Sequence, residues 1–214
     1  MADEMIDIYD ENLQRLGTVP RNQAHESGSW HRSIHCWIIR PDRAGYVLFQ
    51  KRGREKKLFP NTLDITAAGH YTAGETPEQG VREILEELGL DIPFADLVPL
   101  GIKFDIAKIG AVTNREFCDV YLLRRPEKPE DYTLDPSEVE GLVQISIRDG
   151  LHLFSGEAKA VDATGVEWQS DSKSWKQITL PVTRESFIPR IDQYYLKVFI
   201  LGRNLLQGER YLAI

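Results

Sequence analysis

One short stretch, Gly69–Leu90, constrains the 214-residue chain more than any other. Its second half reads as a helix with carboxylates along one side. Thr76 stands where an N-cap belongs, Pro77 fits the first turn, and Gln79 completes a Thr-x-x-Gln capping box. Gly89 is placed to end the helix in a left-handed conformation. Between these limits Val81, Ile84, Leu85 and Leu88 recur at three- and four-residue intervals, which predicts a buried stripe. Glu83 and Glu87 are four apart and stack one turn above the other, and Glu86 borders the same side. Like charges so spaced repel by roughly a few tenths of a kcal/mol per pair. A divalent cation would offset that repulsion, and hard carboxylate oxygens with no cysteine nearby favour Mg²⁺ or Mn²⁺ over a softer metal. Taken alone, the same pattern would also suit a solvated acidic face.

The preceding loop narrows the choice. Gly69, Gly74, Glu75 and then Arg82-Glu83-x-x-Glu86-Glu87-x-Gly89 resemble the Nudix box. That box reads Gly, five residues, Glu, seven residues, then Arg-Glu-apolar-x-Glu-Glu-x-Gly-apolar. The spacing from Gly69 to Glu75 fits and Arg82 to Leu90 matches fully, but Thr76–Val81 is one residue short. The missing residue falls near Gly80, upstream of Glu83, Glu86 and Glu87, which keep their mutual spacing. The resemblance implies that Gly69, Glu75 and Arg82 shape the box, with Arg82 holding Glu75, and that the three later glutamates hold the metal.

Outlying residues are similar to one Nudix branch, the isopentenyl-diphosphate isomerase-like proteins and their hydrolase relatives. The matching pieces are an N-terminal Asp7-Ile8-Tyr9-Asp10-Glu11 segment, Trp30-His31-Arg32-Ser33, Gln50-Lys51-Arg52, Lys56-Lys57, Phe59-Pro60, Asp64-Ile65-x-x-Ala68-Gly69-His70 and Asn114-x-Glu116. They span roughly residues 5–150. The resemblance implies a second metal site from His25, His31, His70 and Glu116, with Asn114 in place of one acid ligand. It also implies that Arg52 and Lys56 hold the distal phosphate, for which a guanidinium fork and an ammonium are suited. Solvated charge is the plain alternative for both. Glu116 opens an apolar strand, as a strand-end residue, a metal ligand or a base that orients water. The isomerases place a catalytic cysteine immediately before the Gly-His pair. Here that residue is Ala68, which can transfer no proton.

Composition sets the partners. A formal net charge of −7 argues against general nucleic-acid affinity, while the small-molecule diphosphate that the resemblance implies could still bind through a local basic patch and a metal. No apolar stretch of membrane-spanning length and no signal peptide is found, so a cytoplasmic location is expected. Two cysteines, Cys36 and Cys118, lie in apolar runs and read as buried thiols. A homodimer is left open.

Along the chain, Met5–Val19 reads as a hairpin turning at Asp10-Glu11-Asn12 and Pro20–Ser29 as a polar loop. Trp30–Ile39 and Tyr46–Lys51 read as paired strands, followed by a basic segment Lys51–Lys57. Val98–Ile109 is strand-like until Gly110; Glu116–Leu123 and Val139–Ile147 are further strands. Gly156–Lys176 is polar and turn-rich, a mobile lid or an ordered surface excursion. Arg184–Gln207 shows helical periodicity through Ile188, Ile191, Tyr195, Val198 and Leu205. The expected fold is an α/β Nudix sandwich, helices on both faces of a mixed sheet, with an N-terminal β-hairpin and a C-terminal helix. Residues 1–214 would form a single domain, with a core over about 28–150 and an extension over about 151–214. The expected activity is Mg²⁺- or Mn²⁺-dependent hydrolysis of a diphosphate linked to another group such as a nucleoside, with Glu83, Glu86, Glu87 and Glu116 catalytic. An isomerase, disfavoured by Ala68, and a non-catalytic phosphate-ligand sensor are the alternatives.

Overall fold

The computed structural model describes residues 4–56, 58–109, 112–136 and 138–214. Its centre is the strand β3, Trp30–Arg40, buried on both faces. Side chains alternate along it, as the pleat requires. Ile34, Cys36 and Ile38 enter one apolar layer, and Trp37 and Ile39 enter the other. The polar residues His31, Ser33 and His35 fall on the Trp37 side, at the other end of the strand.

An N-terminal hairpin, β1 (Met5–Tyr9) and β2 (Arg15–Pro20), pairs with the start of β3. Beyond β3 come β4 (Tyr46–Arg52), β5 (Leu63–Asp64), β6 (Ala67–His70), β7 (Val98–Ile109), β8 (Val112–Arg124), β9 (Val139–Ser146), β10 (Val161–Gln169) and β11 (Ser174–Val182). The long path through the sheet runs β11-β10-β9-β4-β3-β1-β2, with β8 and then β7 attached to β3. The β3–β8 ladder is parallel and the other ladders among these strands are antiparallel, so the sheet is mixed.

Helix α2 (Arg82–Leu88) covers the Ile34 face through Ile84 and Leu88. Helices α3 (Ile147–Ser155) and α4 (Tyr194–Leu206) cover the Trp37 face through Leu153, Tyr194, Val198 and Phe199. The expected sandwich, hairpin and C-terminal helix are therefore present. Among the described residues no helix is long and apolar enough to cross a membrane. Gly110 and Lys57 lie outside the described residues.

Five local expectations need correction. Pro20–Ser29 is not a loop: Arg21–Ser27 forms the helix α1, closed by Gly28 at φ 66°. Strands β3 and β4 pair only at Ile39–Val47 and Arg40–Tyr46, because the β5–β6 segment wedges between them. There the buried Thr66 hydroxyl accepts from Ile38 N–H and donates to the Leu48 carbonyl. Leu85 is no part of the buried stripe but 46% exposed. Gly156–Lys176 is neither lid nor simple excursion; most of it belongs to the β10–β11 hairpin, where Trp168 lies opposite Trp175 at 5.3 Å between ring centroids. The C-terminal helix begins at Tyr194 rather than Arg184. Pro189 disfavours helical geometry at Ile188, and Gln193 is left-handed at φ 55°. Ile191 is consequently 97% exposed.

Candidate functional site

Where the box is one residue short, just before α2, Gln79–Val81 forms a 3-10 turn. Such a turn rises about 2.0 Å per residue against 1.5 Å in an α-helix, so fewer residues cover the same span. Gly80 permits it, since a Cβ there would strike the Tyr71 ring. Gln79 Oε1 accepts from Thr76 N–H at 3.0 Å, half of a capping box. Gly89 ends α2 at φ 64° with its N–H on the Leu85 carbonyl.

Arg82 organises the loop. Its Nε and Nη2 grip the two oxygens of Glu75 at 2.8 and 3.1 Å, and Nη2 also donates to the His70 carbonyl. Its Nη1 lies 2.8 Å from Glu83 Oε1 and 3.1 Å from Glu86 Oε2. Glu83 points back over Gly69, where a Cβ would overlap its carboxyl. Glu87 is deeper. Its Oε2 accepts from Ala68 N–H at 3.0 Å and Gln50 Nε2 at 3.3 Å, both neutral donors. Glu86 is the outlier of the three: its side chain is 56% exposed and bound to Arg82. Burial pushes the Glu83 carboxyl up to about 7 against the pull of Arg82. Burial, with repulsion from Glu83, pushes Glu87 up to about 8.

A second centre forms on the Trp37 side of the sheet. Glu116 sits opposite His31 in the β3–β8 ladder, and His70 sits opposite Ser33. His31 Nε2 and His70 Nε2 lie 3.9 and 3.7 Å from Glu116 Oε1, and neither nitrogen has a hydrogen-bond partner. His25 arrives from α1, with its ring 4.7 Å from His31 and 5.3 Å from His70. Ser29 O lies 2.9 Å from His31 Nδ1; because a carbonyl can only accept, Nδ1 carries a proton, and in the neutral ring Nε2 presents its lone pair. Asn114 donates to Glu116 Oε1 at 2.6 Å and Ser33 Oγ to Oε2 at 2.6 Å. Burial alone would raise the Glu116 carboxyl, but His70 and His31 outweigh it and hold it well below the carboxylate range. Burial lowers His25 and His31.

The two cations assigned to phosphate are placed differently. Arg52 is half-buried, with Nη1 3.2 Å from Asp64 Oδ2 and Nη2 on the Leu58 carbonyl. Lys56 is exposed and reaches Glu138 at 3.1 Å. Sequence reasoning missed a buried polar cluster linked to Arg52 through Asp64: His35, Lys103, Asp105, Arg190 and Tyr194. His35 Nδ1 meets the Tyr194 hydroxyl at 3.0 Å, and burial pushes its imidazole down to about 3. For Lys103 and Asp105 a signal existed, since they alternate with Ile102, Phe104 and Ile106 on β7. For Arg190, in an irregular segment, none did.

The raised carboxyls predict how stability follows pH. Glu83 and Glu87 have folded values above their unfolded ones, so the metal-free fold holds extra protons between about pH 4.5 and 8. Their contribution is present at low pH and is lost as pH rises through that window. Glu87→Gln should remove part of that loss. In EDTA the variant's Tm should match the parent's near pH 5 and exceed it by several degrees at pH 8.5, at roughly 2–4 °C per kcal/mol. Equal Tm values at pH 8.5 would mean Glu87 carries no such strain.

A mixed sheet between helices, with a glutamate-bearing helix set against a glycine on the sheet, defines a known class of hydrolase. The NUDIX domain model matches residues 29–161, and the chain belongs to the Nudix hydrolase family. An uncharacterized Nudix hydrolase of Clostridium acetobutylicum is 35% identical across 91% of this chain and 95% of its own length. An isopentenyl-diphosphate Delta-isomerase of Cutibacterium acnes is 29% identical across 85% of this chain and 92% of its own. A crystal structure from Deinococcus radiodurans shares the fold, with a TM-score of 0.54 and 24% identity over 72% of this chain and 90% of that one. Divalent cations are the family's general cofactor.

Proposed function

We propose that the chain is a Mg²⁺- or Mn²⁺-dependent pyrophosphohydrolase that cleaves a diphosphate joined to a second moiety, a nucleoside. One observation carries the reading. Two carboxyls, Glu83 and Glu87, sit half-buried one turn apart, and the two hydrogen bonds to Glu87 come from neutral donors. Half-buried acids so placed fit a cation, which when bound would neutralise phosphate charge and lower the pKa of its water. Glu83 and Glu87 are the principal ligands in this reading, with Glu86 joining from the rim.

The rest of the machinery positions charge, which is most of what phosphoryl chemistry requires of a protein. Arg82 and Glu75 hold the loop, and Gly69 leaves room for the Glu83 carboxyl. Arg52 and Lys56 bind the distal phosphate. Glu116, held ionised, assists water or metal, and the free Nε2 atoms of His31 and His70, with His25, fit a second cation beside it. The whole chain acts as one unit, with the core over about 28–150 extended by 151–214.

Turnover of a panel of nucleoside di- and triphosphates, dinucleotides, nucleotide sugars and coenzyme A should require Mg²⁺ or Mn²⁺ and release phosphate or nucleotide. Tight binding without turnover across the panel would instead identify a sensor.

A further inference from the structure

Five large side chains on the α2 side of the sheet belong to neither apolar layer: Trp30 on β3, Ile102, Phe104 and Ile106 on β7, and Phe117 on β8. Phe117 stacks on Trp30 with 4.5 Å between ring centroids, and Phe104 meets the two rings edge-on at 5.3 and 5.9 Å. Phe117 is thereby buried, while Phe104, Ile106 and Ile102 stay 58, 56 and 39% exposed. Lys103 and Asp105 alternate with them, turn to the opposite face and are buried there. A strand face left to water carries polar residues. On β7 the exposed face is the apolar one.

The backbone edge of β7 is open as well. One side pairs with β8, and among the described residues no strand pairs with the other. Ile214 N–H donates to the Leu100 carbonyl at 3.0 Å, but Leu212 and Ile214 then pack on the Trp37 layer. The bulge at Gly101, φ 106°, separates that contact from Ile102–Lys108. An open apolar edge is a template for another strand, and folded proteins cover it or blunt it with charge.

The strand that fits this edge is β7 itself. When two identical strands pair antiparallel about a two-fold axis, one residue lies opposite its own copy. With Phe104 on the axis, Ile102 faces the partner's Ile106, and Lys103 faces the partner's Asp105. An axis at Lys103 or at Asp105 would oppose like charges, which is destabilising. An axis at Ile102 or at Ile106 would set both charged residues against uncharged ones. Phe104 is therefore the register in which apolar meets apolar and each charge meets its opposite.

The area agrees with a contact of this kind. Ile102, Phe104 and Ile106 leave roughly 300 Å² of apolar surface open, the size of a functional patch on a soluble monomer. A stable symmetric contact takes about 800 Å² from each copy. The strand edge and half-buried Trp30 adjoin the patch and enlarge it toward that size. So does Ile191, 97% exposed beside the Asp192 that reaches Lys103 at 3.3 Å.

We propose that the β7 edge and its apolar face form the contact between two copies of this chain, paired antiparallel about a two-fold axis at Phe104.

Sedimentation equilibrium and disulfide trapping test it. The parent should sediment at twice its 24.5 kDa mass at about 10–100 µM, where a micromolar contact is largely formed. Phe104→Glu sets a charge opposite its own copy and should weaken association by about a hundred-fold or more. Its circular dichroism should not change, because the side chain is more than half exposed. Should it change, Ile106→Lys gives the same reading. Cysteines read the register, since Cys36 and Cys118 are buried and do not compete. Phe104→Cys should cross-link to its own copy under mild oxidation, because opposed Cβ atoms lie about 4.5–5.5 Å apart. Ile106→Cys alone should not, since four residues, about 13 Å of strand, separate it from its own copy. Mixing Ile106→Cys with Ile102→Cys should restore the cross-link. A parent that remains at 24.5 kDa over that range overturns the proposal. So does a dimer that neither Phe104→Glu nor Ile106→Lys weakens, or an Ile106→Cys protein that cross-links alone as readily as Phe104→Cys.

Discussion

Glu87→Gln and Glu83→Gln are each expected to lower Mg²⁺-dependent turnover by roughly 10²–10³-fold or more, the scale of losing one preorganised electrostatic group. The fold should survive both changes. A glutamine at 87 retains an oxygen to accept from Ala68 N–H and Gln50 Nε2, where Glu87 now does so at 3.0 and 3.3 Å. A glutamine at 83 keeps the shape that lies over Gly69 while removing its charge from Arg82. The loss should therefore appear as weakened cation binding, read by Mn²⁺ relaxation enhancement, with unchanged circular dichroism. Glu86→Gln should be milder, because that side chain is more than half exposed and its bond is to Arg82. Unchanged Mn²⁺ affinity in the variants at 83 and 87 would move the cation away from α2, leaving the histidine centre as the remaining cluster to examine.

The legible part of this site is the part that is local. Arg82, Glu83, Glu86 and Glu87 are fixed relative to one another by helical spacing, so their arrangement is written in six consecutive residues. Which of the three acids turns inward is not, because that depends on how α2 rolls against β6, and Glu86 rolled outward. The six-residue gap after Glu75 signals a departure from the pattern but not the 3-10 turn found there, which depends on Gly80 meeting Tyr71. Helix α1, which delivers His25, was unreadable because it is seven residues long and buries only Ala24. A helix that short has no hydrophobic period to detect. Arg190 was unreadable for another reason: its partners Asp64 and Asp105 are separated from it by 126 and 85 positions. Only the folded sheet places those three residues together. The β10–β11 hairpin is not legible because its outer strand breaks the period of two, with Lys176 and Gln177 exposed in succession and Pro181 near its end.

Incubating the enzyme with isopentenyl diphosphate in heavy water is expected to leave the substrate without enzyme-dependent deuterium, whereas turnover of its true substrate in ¹⁸O-water should label a phosphate-containing product. Isomerisation moves a proton between carbons and needs an acid and a base on opposite faces of the double bond. The position the resemblance assigns to one of them is Ala68, whose methyl side chain holds no ionisable proton and whose N–H is given to Glu87. Neither thiol replaces it. Cys36 is fully buried on the other face of β3, among the residues packed on α2. Cys118 lies nearer, 3.8 Å from Glu116 Oε2, yet burial and then the Glu116 charge push its thiol well above its ordinary value, so it stays protonated and is a poor partner for reversible transfer. The proposed hydrolysis asks for less: a cation site, a water and fixed positive charge, which in this reading Glu83, Glu87, Arg52 and Glu116 would supply. Deuterium uptake at an enzyme-dependent rate without phosphate release would overturn the hydrolase reading. Cys118→Ser would then be the first variant to make, since Cys118 is the thiol in contact with Glu116.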